Sequence, residues 1–216
     1  MVDGNDLKIP NSQVLHRMFA HPSGFLGHLG GWLMGLSNQD IAQWTIEALD
    51  IQPRDRVLEI GFGPGEALRQ LAQTIPDIQL HGVDASGLMV TKARKLNRAK
   101  ILSGNIDVRH GTVETLPYPD GSFDKAFSIN SMPFWEHPIP GLREIRRVLS
   151  PGGNFVVTVQ PRWAKTDQEI QTVEQWMEEN LSSAGFFPMK ADLRSFEPVP
   201  AIRFLILAPP ENVPSS

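Results

Sequence analysis

The stretch Val57-Leu58-Glu59-Ile60-Gly61-Phe62-Gly63-Pro64-Gly65-Glu66 constrains the chain more than any other. A short apolar run with the length of a buried strand passes through three alternating glycines into Glu66 to Ile75, which has helical spacing. Glycine is needed where the backbone takes positive φ or where a Cβ would block a ligand's approach. A helix that starts just past such a turn also offers N–H groups without partners. The combination implies an α/β fold that holds a ligand at the carboxyl end of a strand.

From Arg56 onward, short β-branched runs alternate with amphipathic stretches, which predicts a mostly parallel sheet between helices. Strands are expected at Arg56 to Ile60, Gln79 to Val83, Asp107 to His110, Phe123 to Ile129 and Asn154 to Gln160. Helices are expected at Glu66 to Ile75, Ser86 to Asn97, Ile139 to Leu149 and Thr166 to Ala184. Two further extended segments, Met189 to Phe196 and Ala201 to Leu207, lie too close together for a parallel crossover, so the sheet should end in a hairpin. At 216 residues the chain suits one such domain, residues 51–216. Residues 1–50 mix glycine with large apolar groups in GFLGHLGGWLMG before a helix from Asn38 to Leu49, and are expected to form a helical cap.

A formal net charge of -4, without a long basic run, argues against nucleic acid as a partner. The lack of cysteine excludes disulfides, thiolate metal ligands and a cysteine nucleophile, and suits a reducing compartment. No secretory layout opens the chain and no apolar run reaches about 18 residues, so a cytoplasmic protein without membrane insertion is expected. His16, His21 and His28 share one segment, but no carboxylate pattern or zinc-site spacing accompanies them, and no metal is expected.

Charge around the glycine turn separates the candidate ligands. The dinucleotide fingerprint requires glycine where Glu66 stands, and Glu66 and Glu59 would both repel a pyrophosphate. The Glu59 carboxylate suits instead a ligand carrying an ammonium group and a sulfonium, a description that fits S-adenosylmethionine. Asp84, 19 residues after Gly65, ends the second strand in Gly82-Val83-Asp84-Ala85-Ser86 and can accept from both ribose hydroxyls. The competing role, helix N-cap, is one that Ser86 could fill.

In order, VLEIGFGPG, GVDAS, GTVETLPYPDGSFD and LREIRRVLSPGG resemble the class I S-adenosylmethionine-dependent methyltransferases, close to the ubiquinone/menaquinone-biosynthesis-like, type 11 branch. The resemblance runs from Val57 to Gln160. It implies a Rossmann-like three-layer sandwich whose seven-stranded, mostly parallel sheet has an antiparallel terminal strand. It implies further that S-adenosylmethionine is the cofactor, with Glu59, Gly61, Gly63 and Gly65 on the methionine side, Asp84 on the ribose, and Ala85 and Met89 bordering the adenine. Where relatives usually carry an acidic residue, this chain has Thr112 in Gly111-Thr112-Val113-Glu114. The Thr112 hydroxyl can still accept from the adenine amino group, and the Val113 N–H can donate to the ring.

The resemblance is nearly silent on the methyl acceptor; the leading reading is direct in-line methyl transfer to an oxygen, nitrogen or carbon of a small molecule. The segment after the fourth strand, Ser128 to Pro138, is placed to meet that acceptor. Asn130, Pro133 and Phe134 fall short of an Asn-Pro-Pro-aromatic motif because Ser131 and Met132 intervene, so Asn130 is read as a strand-end residue touching the cofactor. His137 is the candidate general base, with Glu136 as its fallback. His137-Pro138 equally has the form of a helix start. Trp135, Phe134, Trp32 and Phe25 could line an apolar pocket or simply pack. Two rival functions are a nicotinamide-dependent oxidoreductase, disfavoured by Glu59 and Glu66, and a non-catalytic binding protein on the same fold. The sequence carries no signal for an oligomeric state.

Overall fold

A computed structural model describes residues 39–207. The apolar cap stretch with Phe25, Trp32 and Met34, and the histidines at 16, 21 and 28, lie outside the described residues.

Seven strands form one sheet: β1 (Arg56–Ile60), β2 (Gln79–Asp84), β3 (Ile106–His110), β4 (Phe123–Ile129), β5 (Leu149–Val159), β6 (Phe187–Arg194) and β7 (Ala201–Leu207). Their order is β3-β2-β1-β4-β5-β7-β6. The first five pair in parallel, whereas β7 runs antiparallel to both β5 and β6. The helices are α1 (Gln39–Glu47), α2 (Glu66–Thr74), α3 (Gly87–Leu96), α4 (Arg98–Leu102), α5 (Pro138–Val148) and α6 (Asp167–Ser183).

Strand alternation divides the core in two. Leu58, Ile60, Val83 and Val157 pack with Leu142 and Ile145 of α5 and Met177 and Leu181 of α6. On the opposite face Val57, Leu80, Phe127 and Val156 meet Leu68 and Leu71 of α2 and Val90 and Ala93 of α3. Helix α1 and the turn after it join this second layer: Ile41 and Leu49 are buried, and Thr45 Oγ1 donates to Thr158 Oγ1 of β5 at 2.8 Å. The described end of the expected cap is therefore fixed against the sheet.

Three local features depart from expectation, the first being β6, which runs Phe187–Arg194, two residues earlier than the expected Met189 to Phe196. Strand β5 begins at Leu149 rather than Asn154, because Ser150-Pro151-Gly152-Gly153 extends it through a register shift opposite Phe123 and Lys125. Helix α4 buries none of its residues, so no apolar stripe announces it. Elsewhere local chemistry agrees with the fold, as at α6, where Thr166 Oγ1 accepts from Glu169 N and Glu169 Oε2 accepts from Thr166 N.

The order places β1 between β2 and β4, so the chain crosses from one side of β1 to the other after β3. Such switch points open a crevice at the carboxyl ends of the strands. Among the described residues no helix is long and apolar enough to cross a membrane.

Candidate active site

The glycine turn sits at that crevice. Gly61, Gly63 and Gly65 have φ of 72°, 56° and 85°, in the left-handed region that side chains disfavour. A Cβ on Gly61 would stand 2.1 Å from Ser131 Oγ, so this position admits no side chain. Gly65 is glycine for another reason: a Cβ there would lie 2.9 Å from the Ala93 Cβ, and its carbonyl accepts from Asn97 Nδ2 at 3.1 Å. It seats α2 against α3. Glu66 turns away along α2, where its carboxylate pairs with Arg69 at 2.8 Å.

Asp84 closes β2 beside the turn. Its Oδ2 accepts from Gly63 N and its Oδ1 from Ser86 N, each at 2.8 Å. A carboxylate has about four lone-pair sites, so each oxygen keeps one acceptor site. The helix cap belongs to Ser86, whose Oγ accepts from Met89 N. Burial raises the Asp84 acid above its ordinary value, and the two backbone N–H groups work against that shift.

Glu59 is also buried, at 4% exposure, and its Oε2 has no hydrogen-bond partner. Burial, reinforced by the Asp84 charge, pushes its acid well above the ordinary carboxyl value. An unpartnered buried carboxyl in a strand is costly for the fold alone.

These residues border a cleft of about 500 Å³. Gly61, Gly63, Asp84, Ala85, Met89, Thr112, Val113, Asn130 and Glu136 line it, whereas Glu59, Gly65 and His137 lie outside its lining. His110 Nε2 bonds the Ala85 carbonyl at 3.0 Å and Gly111 N donates to Asp84 O, which fixes the β2–α3 loop against β3. Val113 is buried against Gly141 of α5, where a Cβ would stand 2.7 Å from it. Asn130, at φ 55°, ties β4 to β5: its N–H donates to Thr158 O and its Oδ1 accepts from Gln160 N.

Residues 58–157 match the family model for a methyltransferase domain, Methyltransf_11. The chain is 33% identical over 171 residues to the uncharacterized methyltransferase YdaC of Bacillus subtilis, covering 79% of this chain and 92% of that one. This chain belongs to the class I S-adenosylmethionine-dependent methyltransferases. It is also 31% identical over 119 residues to the ubiquinone/menaquinone biosynthesis C-methyltransferase UbiE of Geotalea daltonii, spanning 53% of this chain and 49% of that one. A SAM dependent methyltransferase from Aquifex aeolicus shares the fold, with a TM-score of 0.65 at 18% identity over 77% of this chain and 89% of that one.

The cofactor of this methyltransferase family fits the residues present. Asp84 has acceptor sites left for hydroxyls, Gly61 leaves its backbone open to close approach, and the cleft's charged lining is acidic, which suits a cationic sulfur. At the β4 edge of the cleft the 3-10 turn Met132–Phe134 follows the strand, and Trp135 Nε1 donates to Ser131 Oγ at 2.9 Å. His137 is the N-cap residue before α5, with Pro138 in the helix's first turn, and its backbone N–H donates to Glu114 Oε1 at 3.2 Å. Its imidazole is 4.0 Å from the exposed Glu136 carboxylate.

Ser131 and Glu114 line the methyltransferase cleft although the sequence did not single them out. Both acquire their meaning from distant partners, Gly61 for Ser131 and His137 for Glu114, and no local spacing announces such contacts.

Proposed function

We propose that this methyltransferase moves a methyl group from S-adenosylmethionine to a small molecule lodged between the glycine turn and the segment from Ser131 to Glu136. The observation that carries the reading is Asp84, a strand-end carboxylate with an acceptor site left on each oxygen, inside a cleft of a size suited to small ligands. Asp84 would accept from the ribose hydroxyls. Ala85, Met89 and Val113 would flank the adenine, with the Thr112 hydroxyl and the Val113 N–H facing its edge. Gly61 and Gly63 would present backbone to the methionine moiety, above the buried Glu59, and Asn130 would touch it from β4. Gly65 supports this arrangement from behind, through α3.

The bound cofactor supplies a methyl carbon already activated by a positively charged sulfur. The chain's own task is then to hold the acceptor in line with it and exclude water, and such placement can supply most of the acceleration. Glu136, at the rim, can take the acceptor's proton or pass it to water. His137 acts as the N-cap position of α5 rather than as the base. Of the cap expected over residues 1–50, residues 1–38 lie outside the described residues.

Charge narrows the acceptor. Asp84, Glu114 and Glu136 line the cleft and, among the described residues, no Lys, Arg or His does. Residues 1–38 carry Asp3 and Asp6 against Lys8 and Arg17, so they add no net charge. Neutral or cationic acceptors are favoured over phosphates and carboxylates.

The test is a metabolite-extract screen with labelled S-adenosylmethionine, scored by a mass gain of one methyl group against heat-killed protein. Tight binding of S-adenosylhomocysteine without any methylated product would overturn the small-molecule reading.

A further inference from the structure

We propose that Glu144 and Arg147 are positioning residues that hold the adenine side of the cleft in place; the inference rests on the cofactor placement proposed above. The wall in question is the segment from Gly111 to Gly121. Between Thr112 and Gly121 it is neither helix nor strand, so its peptide groups lack ladder partners. Two side chains on α5 supply them. Arg147 Nη1 donates to Tyr118 O at 2.8 Å and Asp120 Oδ1 at 2.7 Å, and its Nη2 donates to Leu116 O at 3.1 Å. Glu144 Oε2 accepts from Leu116 N at 3.0 Å. The two charges are joined by a forked pair, Arg147 Nε to Glu144 Oε1 and Nη2 to Oε2, each at 2.7 Å. Leu116 is thus gripped through both its N–H and its carbonyl.

The grip reaches the cleft because the same face of α5 meets the wall along its length. His137, Gly141, Glu144 and Arg147 recur at helical spacing and contact Glu114, Val113, Leu116 and Tyr118 in turn. From the other side Arg109 of β3 donates to Pro117 O at 2.9 Å and lies 4.6 Å over the Tyr118 ring. That ring packs edge-on against Phe123 at 4.8 Å. With the segment pinned at Leu116 and Tyr118, Val113 and Thr112 have little freedom to shift along the cleft. The planar fork of arginine serves several acceptors in fixed directions, which the single ammonium of lysine cannot reproduce.

The test compares full-length wild type with Arg147→Lys and Glu144→Gln. Calorimetry measures the dissociation constants of S-adenosylhomocysteine and of its hypoxanthine analogue, in which a carbonyl replaces the adenine amino group. Wild type should prefer the adenine compound, and each variant should lose about fivefold of that preference, roughly one hydrogen bond's worth. Asp192→Asn is the control. It weakens the pairing of Asp192 with Lys190 and Arg203 in the hairpin at the far edge of the sheet, and should lower the melting temperature while leaving the preference unchanged. An unchanged preference in both variants, with wild type binding S-adenosylhomocysteine, would overturn the positioning role and leave the proposed function standing. A matching loss of preference in Asp192→Asn would also overturn it, because general destabilisation would then explain the effect. Failure of wild type to bind S-adenosylhomocysteine would remove the cofactor reading itself.

Discussion

Replacing Glu59 by glutamine should make the unliganded protein less sensitive to rising pH. The side chain keeps its size but loses its titration. In the wild type Glu59 is buried, its Oε2 is unpartnered and Asp84 is its electrostatic neighbour, so the folded state holds the proton well above the ordinary carboxyl value. The unfolded chain gives that proton up near pH 4.3, the usual value for glutamate, or about that. Above this point the folded state binds more protons than the unfolded state, so stability falls as pH rises. The fall is about 1.4 kcal/mol per pH unit for one group, and it continues until pH reaches the raised folded value.

The variant lacks this loss, whereas the contribution of Asp84, also raised by burial, is common to both proteins and largely cancels in their difference. Urea unfolding of both unliganded proteins at several pH values between about 4.5 and 7.5 would measure it. The gap between them should widen with pH in favour of Glu59→Gln. Parallel stability curves across that range would refute the reasoning, since they would mean that Glu59 ionises in the folded chain at little cost. Cofactor binding should show the opposite trend, because a cationic sulfur favours the ionised carboxylate: wild-type affinity for S-adenosylmethionine should rise with pH more steeply than that of the variant.

Asp84→Ala should weaken S-adenosylhomocysteine binding by about 1–3 kcal/mol, measured by calorimetry, because it removes charge-assisted acceptors; α3 should persist on its Ser86 cap. Gly61→Ala should lower the melting temperature and abolish detectable cofactor binding, since its Cβ would collide with Ser131 and its φ of 72° is strained for alanine. His137→Ala should leave the cofactor dissociation constant unchanged by the same assay, because His137 lies outside the cleft lining and bonds Glu114 through its backbone. Deleting residues 1–35 should retain cofactor binding while turnover on an identified acceptor falls, and equal turnover would reject the cap.

How far the sequence could be read follows the distance between interacting residues. The strand, glycine turn and helix from Arg56 to Thr74 were legible because their signals lie within one run: a buried apolar stretch, three glycines and helical spacing. The terminal hairpin was legible because only six residues separate β6 from β7. What each glycine is for was not, since Gly61 answers to Ser131 and Gly65 to Ala93 and Asn97, contacts that exist only once the sheet and helices have closed. Asp84 stood out by position, but its bond to Gly63, 21 residues earlier, had to be seen. The block LREIRRVLSPGG shows the same division most clearly. As a string it marks a helix running into a strand, and its apolar positions predict burial of Leu142, Ile145 and Val148. Its charged positions offer locally the i, i+3 pair of Glu144 with Arg147 but not the rest, because the other partners of Arg147 at Leu116, Tyr118 and Asp120 lie 27 to 31 residues away in a segment without regular structure. Such a segment cannot set its own shape by ladder hydrogen bonds, so the side chains that complete its bonding must come from a neighbouring rigid element, and α5 is the element that packs against it.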